Sequence, residues 1–137
     1  MKNLILEKTD FFFSQLSERQ KIILARRFGI GTFERETLES IGKDLGVTRE
    51  RVRQIEKKAL ELVKRNTDQR SIRRIYQKIK NLLNSGGGAK REEKISEELG
   101  LKEVHNELLL FLHLHDDFYR FRENDIFYSF WSLDPLK

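Results

Sequence analysis

The sequence predicts a mainly α-helical fold: a helix-turn-helix domain followed by a small winged-helix-like module with a C-terminal β-hairpin. Three observations carry that expectation. Apolar residues recur at helical spacing through most of the 137 residues. Two glycines, Gly42 and Gly46, stand where a pair of helices would turn sharply, in "TLESIGKDLGVTRERVRQ". Half of the 14 aromatic residues fall between Phe118 and Trp131, in a stretch that reads as two strands.

In chain order, "TDFFFSQL" reads as a short aromatic helix. "SERQKIILARRFG" opens with a capping box, Ser17 at N-cap and Gln20 three residues on, and closes on Gly29. After the loop "IGTFERE", Thr37 is placed to cap a helix carrying Leu38, Ile41 and Leu45. Thr48 then caps a helix whose Val52, Ile55, Ala59, Leu62 and Val63 form one apolar stripe. "NTDQ", 66–69, reads as a hinge, and Ile72, Ile75, Tyr76, Ile79, Leu82 and Leu83 restore the helical period beyond it. "NSGGGAK" breaks the chain, "REEKISEELG" makes a short acidic helix, and "EVHNELLLFLHL" makes another. "FYRFRENDIFYSFW" would form two strands turning at Glu123, Asn124 and Asp125. The expected division is 1–66 for the helix-turn-helix domain and 67–137 for the second module.

Two helices that cross steeply through a tight turn need a small residue at their close approach and a left-handed residue in the turn. Gly42 and Gly46 meet those needs, and Ile41, Leu45, Val47, Val52 and Ile55 supply the apolar underside. With that stripe buried, Glu50, Arg53, Gln54 and Lys57 face outward and Arg49 lies at their edge. A recognition helix sets its N-terminal residues against base edges in the major groove. Arg pairs there with guanine, Gln with adenine, and Glu accepts from cytosine. A solvated helix face laced with i,i+3 and i,i+4 ion pairs fits the same spacing, so the pattern alone leaves both readings standing.

The charge distribution bears on that choice. Residues 1–66 hold 15 Lys/Arg against 10 Asp/Glu, whereas 67–137 hold 12 of each, so the whole excess of +5 lies in the first half. With no cysteine there are no disulfides or thiolate metal sites, as suits a reducing cytosol. "MKNLILEKTDFFF" is too short and too charged for a signal peptide, and no apolar run reaches membrane-spanning length. A soluble, cytoplasmic, nucleoid-associated protein is expected.

The quoted residues resemble region four of bacterial sigma-70 family factors, the part that reads the −35 promoter element. "LSERQKIILARRFG" and "TLESIGKDLGVTRERVRQIEKKAL" carry the resemblance, over about residues 10–65. It implies Arg49, Glu50, Arg53 and Gln54 as base-reading residues. Arg19, Arg27, Thr37, Leu38, Thr48 and Lys58 would contact phosphates, Leu38 through its backbone N–H near a helix start. It also implies that the apolar and basic face of the first helices meets the flap of the RNA polymerase β subunit. Two departures stand out. Ser40 replaces an acid after Thr37-Leu38-Glu39 and cannot close a Glu-type capping box, and in sigma factors this domain normally ends the chain, whereas here another module follows. Nothing resembles the aromatic-rich region that melts the −10 element. The layout is also similar to sigma-like helix-turn-helix proteins carrying winged-helix or HARE-type modules.

The aromatic tail suits covering of a small hairpin's own helices better than stacking on bases. Residues 92–137 hold five basic and eleven acidic residues, which favours a protein partner there, while 67–91 hold seven basic and one acidic, which would let helix 70–83 extend the DNA-facing surface. "HLHDD", 113–117, lacks a third ligand cluster for a metal, and "SGGGAK" lacks the strand and Lys-Ser/Thr of a phosphate-binding loop. No nucleophile–base pair is visible, so no cofactor and no enzyme activity are expected. The expected function is a transcription regulator recognising −35-like double-stranded promoter DNA and touching RNA polymerase. A polymerase-docking module that does not read DNA, and an autonomous operator-binding repressor, stand as alternatives.

Overall fold

The computed structural model describes residues 1–31, 34–121 and 130–135, with Gln69, Phe121 and Phe130 described for their backbone alone. Seven α-helices among the described residues precede or interleave with a three-stranded sheet: α1 (Lys2–Ser14), α2 (Glu18–Phe28), α3 (Leu38–Leu45), α4 (Arg49–Asn66), α5 (Gln69–Ser85), β1 (Ala89–Arg91), α6 (Glu92–Glu98), α7 (His105–His113), β2 (Tyr119–Phe121) and β3 (Phe130–Ser132). A 3-10 turn, Lys102–Val104, leads into α7.

The first helix is longer than the aromatic segment predicts. Ile5 and Thr9 join Phe12 on its buried side, so residues whose spacing looked unremarkable extend the stripe by two turns. Ser17 caps α2 with the full reciprocal box to Gln20, and Gly29 ends that helix in the left-handed conformation. Thr37 and Thr48 accept from the N3 amides of Ser40 and Arg51. Each such cap contributes about 1 kcal/mol to its helix. The α4–α5 break falls at Thr67 and Asp68, and the Asp68 side chain accepts from the Arg70 amide.

The sheet holds one strand beyond the expected hairpin. β1 pairs antiparallel with β3, which pairs in turn with β2, giving the order β1-β3-β2 with Lys90, Trp131 and Arg120 in register. Three residues, Ala-Lys-Arg, carry no alternation of their own. Their pairing comes from β3, and the Leu133 amide donating to the Gly88 carbonyl at 2.9 Å closes the edge. The expected turn at Glu123–Asp125 lies outside the described residues.

Two apolar cores form. The smaller one holds Ile23, Leu38, Ile41, Val52 and Ile55, with Leu45 and Val47 against it. The larger one gathers Ile5, Phe12, Leu24 and Phe28 from the first two helices, Ala59 and Val63 from α4, Ile72 to Leu83 from α5, and Leu108 to Leu112 from α7. At 18 residues α4 is about 27 Å long, enough for its first half to close the small core and its second half to enter the large one. The side chains of 1–66 and 67–137 thus share one interior. Polar contacts cross the same boundary: the Asn106 amide donates to the Gly29 carbonyl at 3.0 Å, and Lys2–Glu103 and Lys64–Asp116 are ion-paired.

Candidate nucleic-acid interface

The turn between α3 and α4 is set by its two glycines. A Cβ on Gly42 would stand 2.7 Å from the Val47 carbonyl oxygen, a backbone contact that cannot give way. Gly46 adopts φ of 72°, which a β-carbon disfavours. With both satisfied, α3 and α4 pack closely over Ile41 and Val52, each fully buried. The helix-turn-helix read from the sequence is therefore the local structure.

Polar clasps from α2 hold the loop before α3, α3 itself and α4. Arg26 donates through Nε and Nη2 to the Glu36 carboxylate at 2.7 and 2.8 Å and through Nη1 to Asp44 at 2.6 Å. The Ser40 hydroxyl donates to Glu36 at 3.1 Å. Those bonds, Arg26 foremost, hold the Glu36 carboxyl below its ordinary range and raise the Arg26 guanidinium above its own. Ser40 thus ties its helix to the preceding loop, an arrangement the capping-box pattern does not anticipate. Arg27 donates to Glu56 of α4 at 3.3 Å and to the Glu36 carbonyl at 2.9 Å.

Above this base the expected base-reading residues come together. Arg49, Glu50, Arg53 and Gln54 are all exposed in the first turns of α4. Glu50 is their centre: Arg53 forks onto its carboxylate at 2.9 and 2.6 Å, Gln54 also bonds to it, and the charge of Arg49 lies near. The Arg53 bond is the largest cause of the lowered Glu50 pKa, and the same bond raises that of Arg53. At pH 7 both are therefore ionised, and a guanidinium fork and a carboxylate are presented side by side. Such an exposed pair is screened by water and holds its partners only weakly.

The expected phosphate contacts surround this turn in different states. Arg19 and Lys58 are exposed and have no ion-pair partner among the described residues. Arg27 is half-buried and spends Nε and Nη1 internally, leaving Nη2. The hydroxyls of Thr37 and Thr48 serve as caps, and the Leu38 side chain is buried while its amide belongs to the first turn of α3. Arg51, absent from the expected set, is equally exposed and unpaired by any ion among the described residues. Its place in the first turn of α4 was the signal for it.

The apolar face of the first helices is largely taken. Phe12, Leu16, Leu24 and Phe28 lie in the main core with α7, and Phe12 meets Phe111 at a ring distance of 5.1 Å. Leu6, Phe11 and Ile22 remain exposed. The two imidazoles of "HLHDD" pack apart from each other, His113 edge-on between Phe28 and Trp131 and His115 against Tyr76 and Phe118. Among the described residues no group of three or more His, Asp or Glu stands close enough to hold a metal. None of the described helices is long and apolar enough to cross a membrane.

Glu92 is a buried carboxylate that sequence reasoning missed. Its carboxylate takes Arg120 at 2.9 Å, the Trp131 indole N–H at 3.1 Å and Arg35 at 3.4 Å, so it joins the loop before α3 to two strands. Burial pushes its pKa up, but the Arg120 bond with the charges of Arg120 and Arg35 outweighs that and leaves it below the ordinary value. Nothing in "KREEKIS" marks the first glutamate as the buried one.

The comparisons with known proteins fall on the same segment. Residues 12–65 match the family model described as sigma-70, region 4. The chain is similar to RNA polymerase sigma factor SigA of Bacillus sp, 47% identical over 57 residues, which is 42% of this chain and 15% of that one. It is similar also to RNA polymerase sigma factor SigA1 of Synechococcus elongatus, 43% identical over 75 residues, 55% of this chain and 18% of that one. The chain thus spans less than a fifth of the length of these curated relatives. The match to sigma-70, region 4 runs from the end of α1 through α4 and so covers the whole helix-turn-helix.

Proposed function

We propose that this chain is a sequence-specific DNA-binding transcription regulator that recognises −35-like promoter DNA through α4 and contacts RNA polymerase. The observation that carries it is the cluster of Arg49, Glu50, Arg53 and Gln54 on one exposed turn, over a small core that fixes the helix beneath them. Donor fork, acceptor and amide together discriminate base pairs in the major groove, which a merely solvated face has no need to combine. Arg19, Arg27 and Lys58, the backbone amides at Thr37–Leu38, and Thr48 would hold the flanking phosphates. Polymerase contact, at its β flap, would use what α7 leaves open on the first helices, Phe11 and Ile22 with the neighbouring Lys21. Residues 67–137 would form a winged-helix-like module that braces the first domain and offers its acidic side to a further protein. The protein acts by binding, without catalysis.

The test is a titration of a −35-containing duplex at several salt concentrations, paired with selection of preferred sequences from a random pool. About five phosphate contacts give a slope of log affinity against log salt of about −4 to −5. A slope near zero, or a selected pool with no consensus, would remove the reading.

A further inference from the structure

Helix α5 is the one described helix without a carboxylate: "QRSIRRIYQKIKNLLNS" has five cations and no acid. Its inner side is fixed, because Ile72, Ile75, Tyr76, Ile79 and Leu83 are buried and the Tyr76 hydroxyl donates to the Phe111 carbonyl at 2.8 Å. Its outer side is then determined by helical geometry. Arg70, Arg73, Arg74, Gln77, Lys78 and Asn81 follow one another along it, and all six are exposed. Arg70 lies 3.7 Å from Asp68, while Arg73, Arg74 and Lys78 have no ion-pair partner among the described residues. The fifth cation of α5, Lys80, is spent on Asp117, and elsewhere in the second half the described cations are mostly spent too: Lys90 on Glu98, Arg91 on Glu93, Lys94 on Glu97 and Arg120 on Glu92. On the flank of α5 a shallow cavity of about 260 Å³ is lined by Arg73, Tyr76, Gln77, Lys80 and His115, with the Asp117 carboxylate on Lys80 marking its acidic edge.

A helix face of that composition suits a polyanion. Arg and Lys neutralise phosphates, Gln and Asn bond to their oxygens, and no acid repels them. We infer that the outward face of α5 is a second DNA-contacting surface, which grips the phosphate backbone outside the segment read by α4. This rests on the DNA-reading assignment of α4. The distance along the chain sets where the contact falls. Arg49 and the start of α5 stand at opposite ends of an 18-residue helix, about 27 Å apart. That approaches one helical turn of duplex, so α5 meets flanking backbone and not the bases under Arg53. A backbone contact of this kind adds affinity and salt dependence but no sequence preference.

The test uses the full chain and two duplexes carrying the selected site, one of about 12 base pairs and one of about 34, roughly one turn and three. Wild-type protein should bind the long duplex about tenfold more tightly, with a salt slope steeper by about 2 to 3. The triple variant Arg73→Ala, Arg74→Ala, Lys78→Ala changes exposed side chains alone. It should lose the long-duplex gain while keeping the short-duplex affinity and the selected sequence. Equal wild-type affinity for both duplexes would overturn the inference, and so would an equal loss from Lys8→Ala, Lys94→Ala, Lys102→Ala, which removes the same charge elsewhere. A poly-glutamate peptide that binds wild type in place of the long-duplex gain, and fails on the first variant, would assign the face to an acidic protein instead. Loss of all sequence preference in wild type would count against α4 as a reader and leave the length dependence to judge α5 separately.

Discussion

Helices α4 and α7 each follow a short helix and a turn, yet they end in opposite environments. The first turns of α4 carry Arg49, Glu50, Arg53 and Gln54 in solvent over a stripe of Val52 and Ile55. In α7, Leu108 through Leu112 are buried in succession, in one core with residues of α1, α2 and α5. An apolar face narrower than half a helix leaves a surface free for a ligand, whereas a helix apolar all round is an internal strut. Similar local layouts thus yield a candidate reader and a structural brace, and the difference lies in how many residues per turn are polar.

That contrast is broken most severely through the brace. Phe111→Ala removes a fully buried ring that meets Phe12 at 5.1 Å and Tyr76 at 6.2 Å. It should destabilise the protein by about 3–5 kcal/mol, read by urea denaturation. Because the main core contains Phe12, Leu24 and Phe28 together with α7, the loss should appear as one transition for the whole chain. Survival of a separately melting 1–66 unit would show that the first domain stands without the brace.

Glu92→Gln probes the polar link between the same regions. It should cost about 2–3 kcal/mol at neutral pH, since charge-assisted bonds from Arg120 and Arg35 are lost while the Trp131 acceptor is kept. The folded pKa of Glu92 lies below the ordinary 4.5, so its contribution is complete above that value and disappears as pH falls through the folded pKa. The gap between wild type and Glu92→Gln in denaturation curves should therefore be full at pH 7 and close progressively below pH 4.5. A gap independent of pH would show that the ion pairs do not contribute.

The smallest effects sharpen the reading side. Arg53→Ala should lose about 1–3 kcal/mol of discrimination at one base position and leave the fold intact, because its side chain is exposed and bonded to Glu50 alone. Lys58→Ala should weaken all sequences alike and lower the salt slope by about 1. Selection of preferred duplexes with each variant separates them. An unchanged consensus for Arg53→Ala, with affinity uniformly reduced, would make α4 a charged face and not a reader.

The sequence by itself determined the elements whose signals are local. Ser17 with Gln20, Thr37, Thr48, Gly29 and Gly46 placed the ends of α2, α3 and α4, because caps and left-handed turns depend on residues within one turn of each other. The outward set on α4 was legible for the same reason, since one apolar stripe fixes what lies opposite it. Only the tertiary structure decided the rest. The strand Ala89–Arg91 exists because β3 offers it partners, and α1's buried side reaches back to Ile5 because that residue enters the core shared with α7. The burial of Glu92, and not of Glu93 beside it, depends on Arg35, Arg120 and Trp131, which lie from 28 to 57 residues away. Contacts between residues so distant in the chain leave no periodicity to read, and they come into being only when the helices close on a shared core.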